Sequence, residues 1–166
     1  MLIVHGTKRL LDRLKSEPRQ TEERSTTALG DWLATAFFWR PQVALFVNES
    51  TLLPVLIPLA PATTLIARFS GALGEVLDAH GASPAFIASE LTDMSERRLA
   101  KTANRSVVGV MNEFGYLGQA YRDDSPDQPL LMLSLRLSET PCGPLYRRHV
   151  SPDRELAARL SELEGR

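Results

Sequence analysis

The feature that most restricts the fold of this 166-residue chain is an amphipathic segment that begins after Pro61 and ends at Gly81. Its apolar residues recur every three or four positions, and its charged residues lie off that stripe. Gly81 stands where a left-handed residue commonly ends a helix. The pattern predicts a long helix that buries one face against another layer. The apolar stripe consists of Leu65, Ile66, Phe69, Leu73, Val76 and Leu77.

Short runs of aromatic and β-branched residues elsewhere in the chain are typical of strands. Residues 32–38 and 43–47 are two such runs, and the short proline-containing turn between them predicts a β-hairpin. Residues 2–4 predict a buried strand. Residues 52–57 predict either a helical turn or a third strand, which Pro54 would confine to an edge of the sheet.

Further helices are predicted from the residues that begin them. Thr7 can cap a helix over residues 8–15, and Ser83 followed by proline is typical of a cap and first helical position. Asn104 or Ser106 is expected to begin a helix that ends near residue 121. The remaining segments are a short strand over residues 97–101, an apolar run of undecided type over residues 130–137, and a last helix that begins at Ser151-Pro152.

Together these elements predict one α+β domain over residues 1–166, with a small antiparallel sheet packed against several helices. The sheet is expected to contain the hairpin and one or two further strands. Residues 16–27 contain no apolar side chain and predict an exposed loop. The sequence contains no internal repeat and no linker that would divide the chain.

The charge balance argues against a chain-wide attraction to polyanions. Lys and Arg number 19 against 20 Asp and Glu, which gives a net charge of −1, so binding to nucleic acid would need a local patch. The single cysteine excludes an intrachain disulfide, and the three dispersed histidines lack the spacing of a zinc site. We expect no metal and no cofactor, and the sequence does not determine the oligomeric state. The short apolar N-terminus predicts a cytoplasmic protein without a membrane segment.

A local basic patch is present in residues 97–105, which contain four cations and no carboxylate. The segment leads into a predicted helix, and the N-terminal end of a helix favours anions. The patch is therefore expected either to bind an anionic ligand or to form a solvated strand edge whose charges prevent aggregation. The ligand-binding candidates in this segment are Lys101, Thr102, Asn104 and Arg105.

The helix that follows has a polar stripe. At 100° per residue, Arg105, Gly109, Asn112 and Tyr116 lie on one side, and the apolar residues lie on the other. A core-facing helix needs a polar outer face, but glycine within a helix costs about 1 kcal/mol relative to alanine. Gly109 would leave room for a ligand or a neighbouring strand. Asn112 and Tyr116 are therefore further binding candidates.

Arg105 belongs to both features, although a cation near a helix N-terminus is disfavoured by about 0.3–1 kcal/mol. Its position predicts either a structural carboxylate partner or an anionic ligand shared with Lys101. The carboxylates available to it are Glu90, Asp93 and Glu96.

The common catalytic motifs are absent from the sequence. It has no nucleophile elbow, phosphate-binding loop, dinucleotide fingerprint or zinc-protease motif. Cys142 lies in a turn between two prolines and would need His149 or His5 as a base to act as a nucleophile, whereas a lone cysteine is commonly a small buried hydrophobe. The carboxylates of residues 90–96 could contribute to a metal cluster or occupy a solvent-facing helix surface. No catalytic residue can be assigned.

The order of these motifs resembles an uncharacterised family of small bacterial proteins of unknown function, some of them encoded on plasmids or near mobile elements. The resemblance implies no activity. Many relatives begin the hairpin with Trp-His-Ala-Asn and have a strongly basic turn, whereas this chain has Leu33 and Thr35 in place of the His and the Asn, and Arg40-Pro41-Gln42 in the turn. The matching segments are residues 7–12 after the first strand, the hairpin of residues 32–48, residues 101–112 with their Lys-Thr-x-Asn-Arg stretch, and residues 140–145.

Two functions are compatible with these observations. The preferred one is a non-enzymatic binding module that recognises nucleic acid or a protein partner through the basic patch and the polar stripe. The alternative is a phosphate-handling hydrolase or nuclease in which Lys101 and Arg105 hold a phosphate and a carboxylate or Cys142 performs the chemistry. A concave pocket in which these cations meet a carboxylate or histidine would favour the enzyme, and a flat basic face would favour the binding module.

Overall fold

The computed structural model describes residues 1–165 and contains a five-stranded sheet. The strands are β1 (Leu2–Gly6), β2 (Trp32–Phe37), β3 (Val43–Asn48), β4 (Pro54–Pro58) and β5 (Arg97–Lys101), in the spatial order β4-β3-β2-β1-β5. The predicted hairpin is confirmed as β2–β3, and β4 forms an edge strand antiparallel to β3.

The sheet is mixed, and the prediction of an antiparallel sheet was wrong for two of its pairs. β1 is parallel to both β2 and β5. The chain leaves β1 through a helix and a long loop before it enters β2, and several elements separate β4 from β5. A connection of this kind carries the chain back to the end of the sheet at which the preceding strand began, so the next strand runs parallel to the preceding one.

Six α-helices surround the sheet, and the α+β fold class is confirmed. They are α1 (Lys8–Leu14), α2 (Leu65–Ala79), α3 (Pro84–Asp93), α4 (Arg105–Asp124), α5 (Leu130–Leu137) and α6 (Pro152–Glu164). Thr7, Ser83 and Asn104 cap α1, α3 and α4 with their side-chain oxygens, as predicted. No helix within residues 1–165 combines the length and the apolar character needed to cross a membrane.

The strands bury side chains on both faces of the sheet, so the molecule has two apolar cores. The first lies between the sheet and α1, α2 and α6, and Phe69 stacks there on Phe46 with their ring centroids 4.2 Å apart. The second lies between the sheet and α4, α5 and the segment around Leu145, and it contains Phe114. Of the predicted apolar stripe, all residues are buried in the first core except Ile66, which is half-buried beside it. The predicted hairpin contributes apolar side chains to both cores.

The connections from β1 and β5 leave the sheet on opposite sides. The helix after β1, α1, packs on the first core, and the helix after β5, α4, packs on the second. The C-terminal ends of two adjacent parallel strands whose connections diverge in this way form the crevice where ligands commonly bind in open α/β sheets. Residues 16–27 contain no helix or strand and run beside this end of the sheet, where the carbonyl of Arg19 accepts a hydrogen bond from Lys101 N.

Candidate functional site

A cavity of about 580 Å³ opens where β5 ends, and we call it the His5 cavity. One wall is the segment that joins β5 to α4, which contributes Lys101, Thr102 and Asn104. The loop after α1 and the connection after β3 form further parts of the wall. His5 of β1 lines the cavity as well. It pairs with Ala100 of β5, and α4 does not cover the sheet at this position.

His5 is held by a buried carboxylate. Its Nε2 lies 3.0 Å from Oδ2 of Asp31, whose side chain is only 2% exposed. Burial by itself would raise the pKa of Asp31, but the hydrogen bonds from Ser25 and the neighbouring His5 outweigh that effect and hold the pKa below its ordinary value. Asp31 is therefore an ionised acceptor that fixes the orientation of the His5 ring.

A chain of polar contacts extends from Asp31 to the start of α4. Arg24 bridges Oδ2 of Asp31, at 3.3 Å, and Oε2 of Glu49, at 3.0 Å. Oε1 of Glu49 in turn accepts a hydrogen bond of 3.2 Å from Nδ2 of Asn104. The loop after α1, the end of β3 and the N-terminus of α4 are thereby joined around one cavity.

Asn48 and Glu90 hold the segment that carries Asp31. The buried side chain of Asn48 donates to the carbonyls of Leu29, at 2.9 Å, and Asp31, at 3.3 Å. The carboxylate of Glu90 accepts from the backbone N–H groups of Ala28 and Leu29 at 2.9 and 3.2 Å. These hydrogen bonds fix the backbone beside Asp31 from two directions.

Five of the six predicted binding residues lie in two depressions, and Arg105 lies in neither. Lys101, Thr102 and Asn104 line the His5 cavity, whereas Arg105 is exposed beyond it and does not line it. Asn112 and Tyr116 lie further along the exposed side of α4, where they line a separate depression. The polar stripe of α4 therefore connects two surface features.

The second feature is an aromatic–arginine surface, which we define as Arg9, Phe38, Trp39, Arg40, Tyr116 and Arg122. Two adjoining depressions of about 600 and 510 Å³ contain these residues and share Phe38, Trp39 and Gln119. Phe38 is 59% exposed and Tyr116 is 82% exposed. Arg9 lies over the Phe38 ring, 5.6 Å from its centroid.

Trp39 anchors the turn between β2 and β3 to α4. Its ring stacks on Phe37 with a centroid distance of 5.1 Å, and the guanidinium of Arg122 lies 4.7 Å from its centroid. Gly115 and Gly118 make this packing possible, since a Cβ at either position would lie 2.8 Å from the Phe37 or the Trp39 ring. Trp39 is thus used internally, and Phe38 and Tyr116 are the rings that remain available to a ligand.

The basic patch is weaker than its sequence suggests. Arg98 forms ion pairs with Glu23, from the loop after α1, and with Glu96. Arg105 forms no ion pair with a carboxylate of residues 1–165, and Glu90, one of its predicted partners, instead binds the Ala28 and Leu29 backbone. The alternative of a structural partner for Arg105 among Glu90, Asp93 and Glu96 was therefore wrong, and the anionic-ligand alternative stays a prediction.

The structure provides no support for a nucleophilic role of Cys142. The side chain is fully buried, and burial together with the charge of Glu113 raises the pKa of its thiol to about 11. His149 is engaged with Glu155, at 2.8 Å from Nδ1 to Oε2. Within residues 1–165 no group of three or more His, Cys, Asp or Glu side chains is arranged to hold a metal ion.

Sequence reasoning missed His5, Arg24 and Glu49 as members of the cavity, and Asp31 as the partner of His5. They are far apart in the chain, and His5 and Asp31 are 26 residues apart, so no local spacing marks them. The exposed aromatic residues did carry a signal. Residues 37–39 are three consecutive aromatics, and alternation along a strand prevents all three from entering one core.

Residues 3–155 match the model of a family described as a domain of unknown function, DUF6933. The match spans nearly the whole chain and confirms the resemblance to an uncharacterised family that the sequence motifs indicated. Neither a curated protein nor a solved structure matches the chain.

Proposed function

We propose that this chain, which belongs to the DUF6933 family, binds single-stranded nucleic acid through the aromatic–arginine surface. The observation that carries the proposal is the pair of exposed rings, Phe38 and Tyr116, set among three arginines. Proteins that bind single strands combine aromatic side chains, on which bases stack, with cations that follow the phosphates.

The charge of this surface supports a polyanionic partner. Arg9, Arg40 and Arg122 line the two depressions together with one carboxylate, Asp123, so the local balance is positive on a chain whose net charge is −1. Oδ1 of Asp123 accepts a hydrogen bond of 2.9 Å from Gln119. None of the three arginines forms an ion pair with a carboxylate of residues 1–165, and Arg122 donates a hydrogen bond of 3.2 Å to the Arg40 carbonyl.

The geometry favours a single strand over a duplex. Bases of a duplex present only their edges in a groove, whereas the bases of a single strand can turn their faces toward a protein ring. Tyr116 and Phe38 protrude from a shallow surface, and Asn112 beside them offers a side-chain amide for hydrogen bonds. A protein partner rich in acidic residues is the competing occupant, and the experiment below distinguishes it.

The structure gives less support to a hydrolase in which Lys101 and Arg105 hold one phosphate than to a binding module. Lys101 lines the His5 cavity but Arg105 does not, so the two cations do not converge on one phosphate position. Cys142, its candidate nucleophile, is buried with a raised thiol pKa. The binding function is therefore preferred, with its centre moved from residues 97–105 to the aromatic–arginine surface.

Fluorescence anisotropy with a labelled single-stranded oligonucleotide of about 12 nucleotides tests the proposal. Tyr116→Ala should weaken binding by about 5- to 150-fold, because one base–aromatic stack contributes about 1–3 kcal/mol. Tyr146→Ala is the matched control, since Tyr146 is also exposed, at 62%, but lies outside the surface. Its affinity should equal that of the wild type.

Salt dependence tests the contribution of the arginines. Arg40→Gln should reduce the slope of log affinity against log salt by about 0.7, the value for one phosphate contact on a single strand. Arg97→Gln, an exposed arginine outside the surface, should leave the slope unchanged. Equal effects of Tyr116→Ala and Tyr146→Ala, or no measurable oligonucleotide binding at low salt, would overturn the proposal and favour a protein partner.

A further inference from the structure

The His5 cavity is separate from the aromatic–arginine surface and contains a histidine with one unused nitrogen. Nε2 of His5 lies 3.0 Å from Oδ2 of Asp31, and this is the one side-chain hydrogen bond of His5 within residues 1–165, so Nδ1 is left without a partner there. The His5 side chain is only 13% exposed, and the ring forms part of the cavity wall. An oriented ring with a free nitrogen in a concave site is a feature that a ligand can use.

The hydrogen bond to Asp31 determines which nitrogen of the neutral ring carries the proton. A carboxylate can only accept, so Nε2 must donate, and Nδ1 then carries the lone pair. In the neutral form of the ring, Nδ1 is therefore an acceptor, suited to a hydroxyl group of a ligand. The hydrogen bond of 2.6 Å from Ser25 N to the other oxygen of Asp31 prevents the carboxylate from turning away.

The charges around the cavity leave one cation without a partner. Arg24 is neutralised by Asp31 and Glu49, whereas Lys101 forms no ion pair with any carboxylate of residues 1–165. Among the carboxylates that line the cavity, Glu22 forms no ion pair within residues 1–165. Glu22 repels any anion in the cavity, so the anionic group of a ligand must be held at Lys101.

We propose that the His5 cavity binds a small hydroxylated anion, with its hydroxyl group donating to Nδ1 of His5 and its anionic oxygens bound by Lys101. The shared chemistry is a hydroxyl group within a few bonds of an anionic oxygen group, and it occurs in phosphate monoesters of polyols and in hydroxy acids. The hydroxyl of Thr102, on the same wall as Lys101, is a further hydrogen-bonding group for the anion. The cavity volume of about 580 Å³ lies within the usual range of small-molecule sites.

NMR titration of the full chain with four compounds tests this assignment. Glycerol 3-phosphate and glycerate carry both groups, glycerol carries only hydroxyls, and inorganic phosphate carries only the anion. The His5 ring signals, identified by their loss in His5→Gln, should shift with one or both of the first two compounds. Which of the two binds more tightly distinguishes a phosphate monoester from a hydroxy acid. Glycerol and inorganic phosphate should bind at least about tenfold more weakly, because each lacks one of two hydrogen-bonded groups.

Two variants separate the roles of the charge and the ring. Lys101→Gln should weaken binding of the better compound by about tenfold or more, and Lys15→Gln, an exposed lysine outside the cavity, should leave it unchanged. The ¹⁵N signals of the neutral His5 ring should show a protonated Nε2 and an unprotonated Nδ1.

Three results would overturn the proposal. The first is the absence of any His5 shift with glycerol 3-phosphate and with glycerate. The second is binding of glycerol or of inorganic phosphate as tight as that of the better compound. The third is equal affinity in Lys101→Gln and Lys15→Gln. None of these results bears on the oligonucleotide-binding proposal, which uses different residues.

Discussion

Glu90 is a carboxylate that the fold buries without an ion pair within residues 1–165. Burial raises its pKa, and the hydrogen bonds from Leu29 and Ala28 compensate only in part, so the pKa remains above its ordinary value of 4.5. The folded state therefore holds the proton of Glu90 to a higher pH than the unfolded state does. Ionisation of Glu90 works against folding.

The sign of the resulting pH dependence follows from proton linkage. The stability contributed by protonated Glu90 is fully present below pH 4.5 and is lost as the pH rises through the raised folded pKa. Urea unfolding of wild type and Glu90→Gln at several pH values should show the wild type losing free energy of unfolding, relative to the variant, across that window. A difference between the two proteins that does not change with pH would contradict the raised pKa.

The role of Glu90 shows what residue-level sequence patterns leave undecided. Its spacing from Asp93 placed both carboxylates on one helix surface, which suggested a solvent-facing pair or a partner for Arg105. The structure covers Glu90 with the backbone of residues 28–29, more than 60 residues earlier in the chain. No local pattern encodes a contact over that separation.

At the scale of elements, two glycines of α4 differ in what surrounds them. Gly118 faces Trp39, and an added Cβ would lie 2.8 Å from Cη2 of that ring, which Phe37 and Arg122 hold in place. Gly109 faces open space, with no atom within 4 Å of an added Cβ. The sequence had suggested that Gly109 leaves room for a ligand or a strand, and the structure places no strand against it.

These two glycines give a matched pair of substitutions within one helix. Gly109→Ala should raise the free energy of unfolding by about 0.5–1 kcal/mol, because alanine restricts the unfolded chain and favours the helix. Gly118→Ala should lower it by about 1–3 kcal/mol, because the Trp39 ring must be displaced. Thermal melts should therefore move in opposite directions, by about 2–4 °C per kcal/mol. Shifts of the same sign would show that the turn does not pack on α4 in this way.

The type of each element could mostly be predicted from the sequence, since the apolar period and the caps are local. α2, the β2–β3 hairpin and the caps Thr7, Ser83 and Asn104 are confirmed. Residues 130–137 could not be decided because they are apolar nearly throughout. They form a helix whose Leu133 and Leu137 are buried against β4 and α4. Tertiary contacts therefore decided that this segment is a helix and not a strand.

At the scale of the whole molecule, the sheet separates two cores that contribute to stability independently. Phe69→Ala or Phe114→Ala should each cost about 3–5 kcal/mol, as is usual for large buried aromatics. The milder substitutions Phe69→Leu and Phe114→Leu allow a double-mutant cycle in a folded protein. Because the two rings lie on opposite faces of the sheet, their costs should add within about 0.5 kcal/mol. A coupling energy well above that value in urea unfolding would contradict two separate cores.

The sequence by itself determined all helices but α5, the hairpin, most of the buried apolar residues and the family, because hydrophobic period, capping residues and motif order are properties of neighbouring positions. Tertiary structure decided the direction of β1 and β5, the division into two cores and the membership of the His5 cavity. Strand direction depends on which way each connection crosses the sheet, and several crossings satisfy the same apolar pattern. The pairing of His5 with Asp31 exists only after β1 and β2 have become neighbours, so local sequence contains no trace of it.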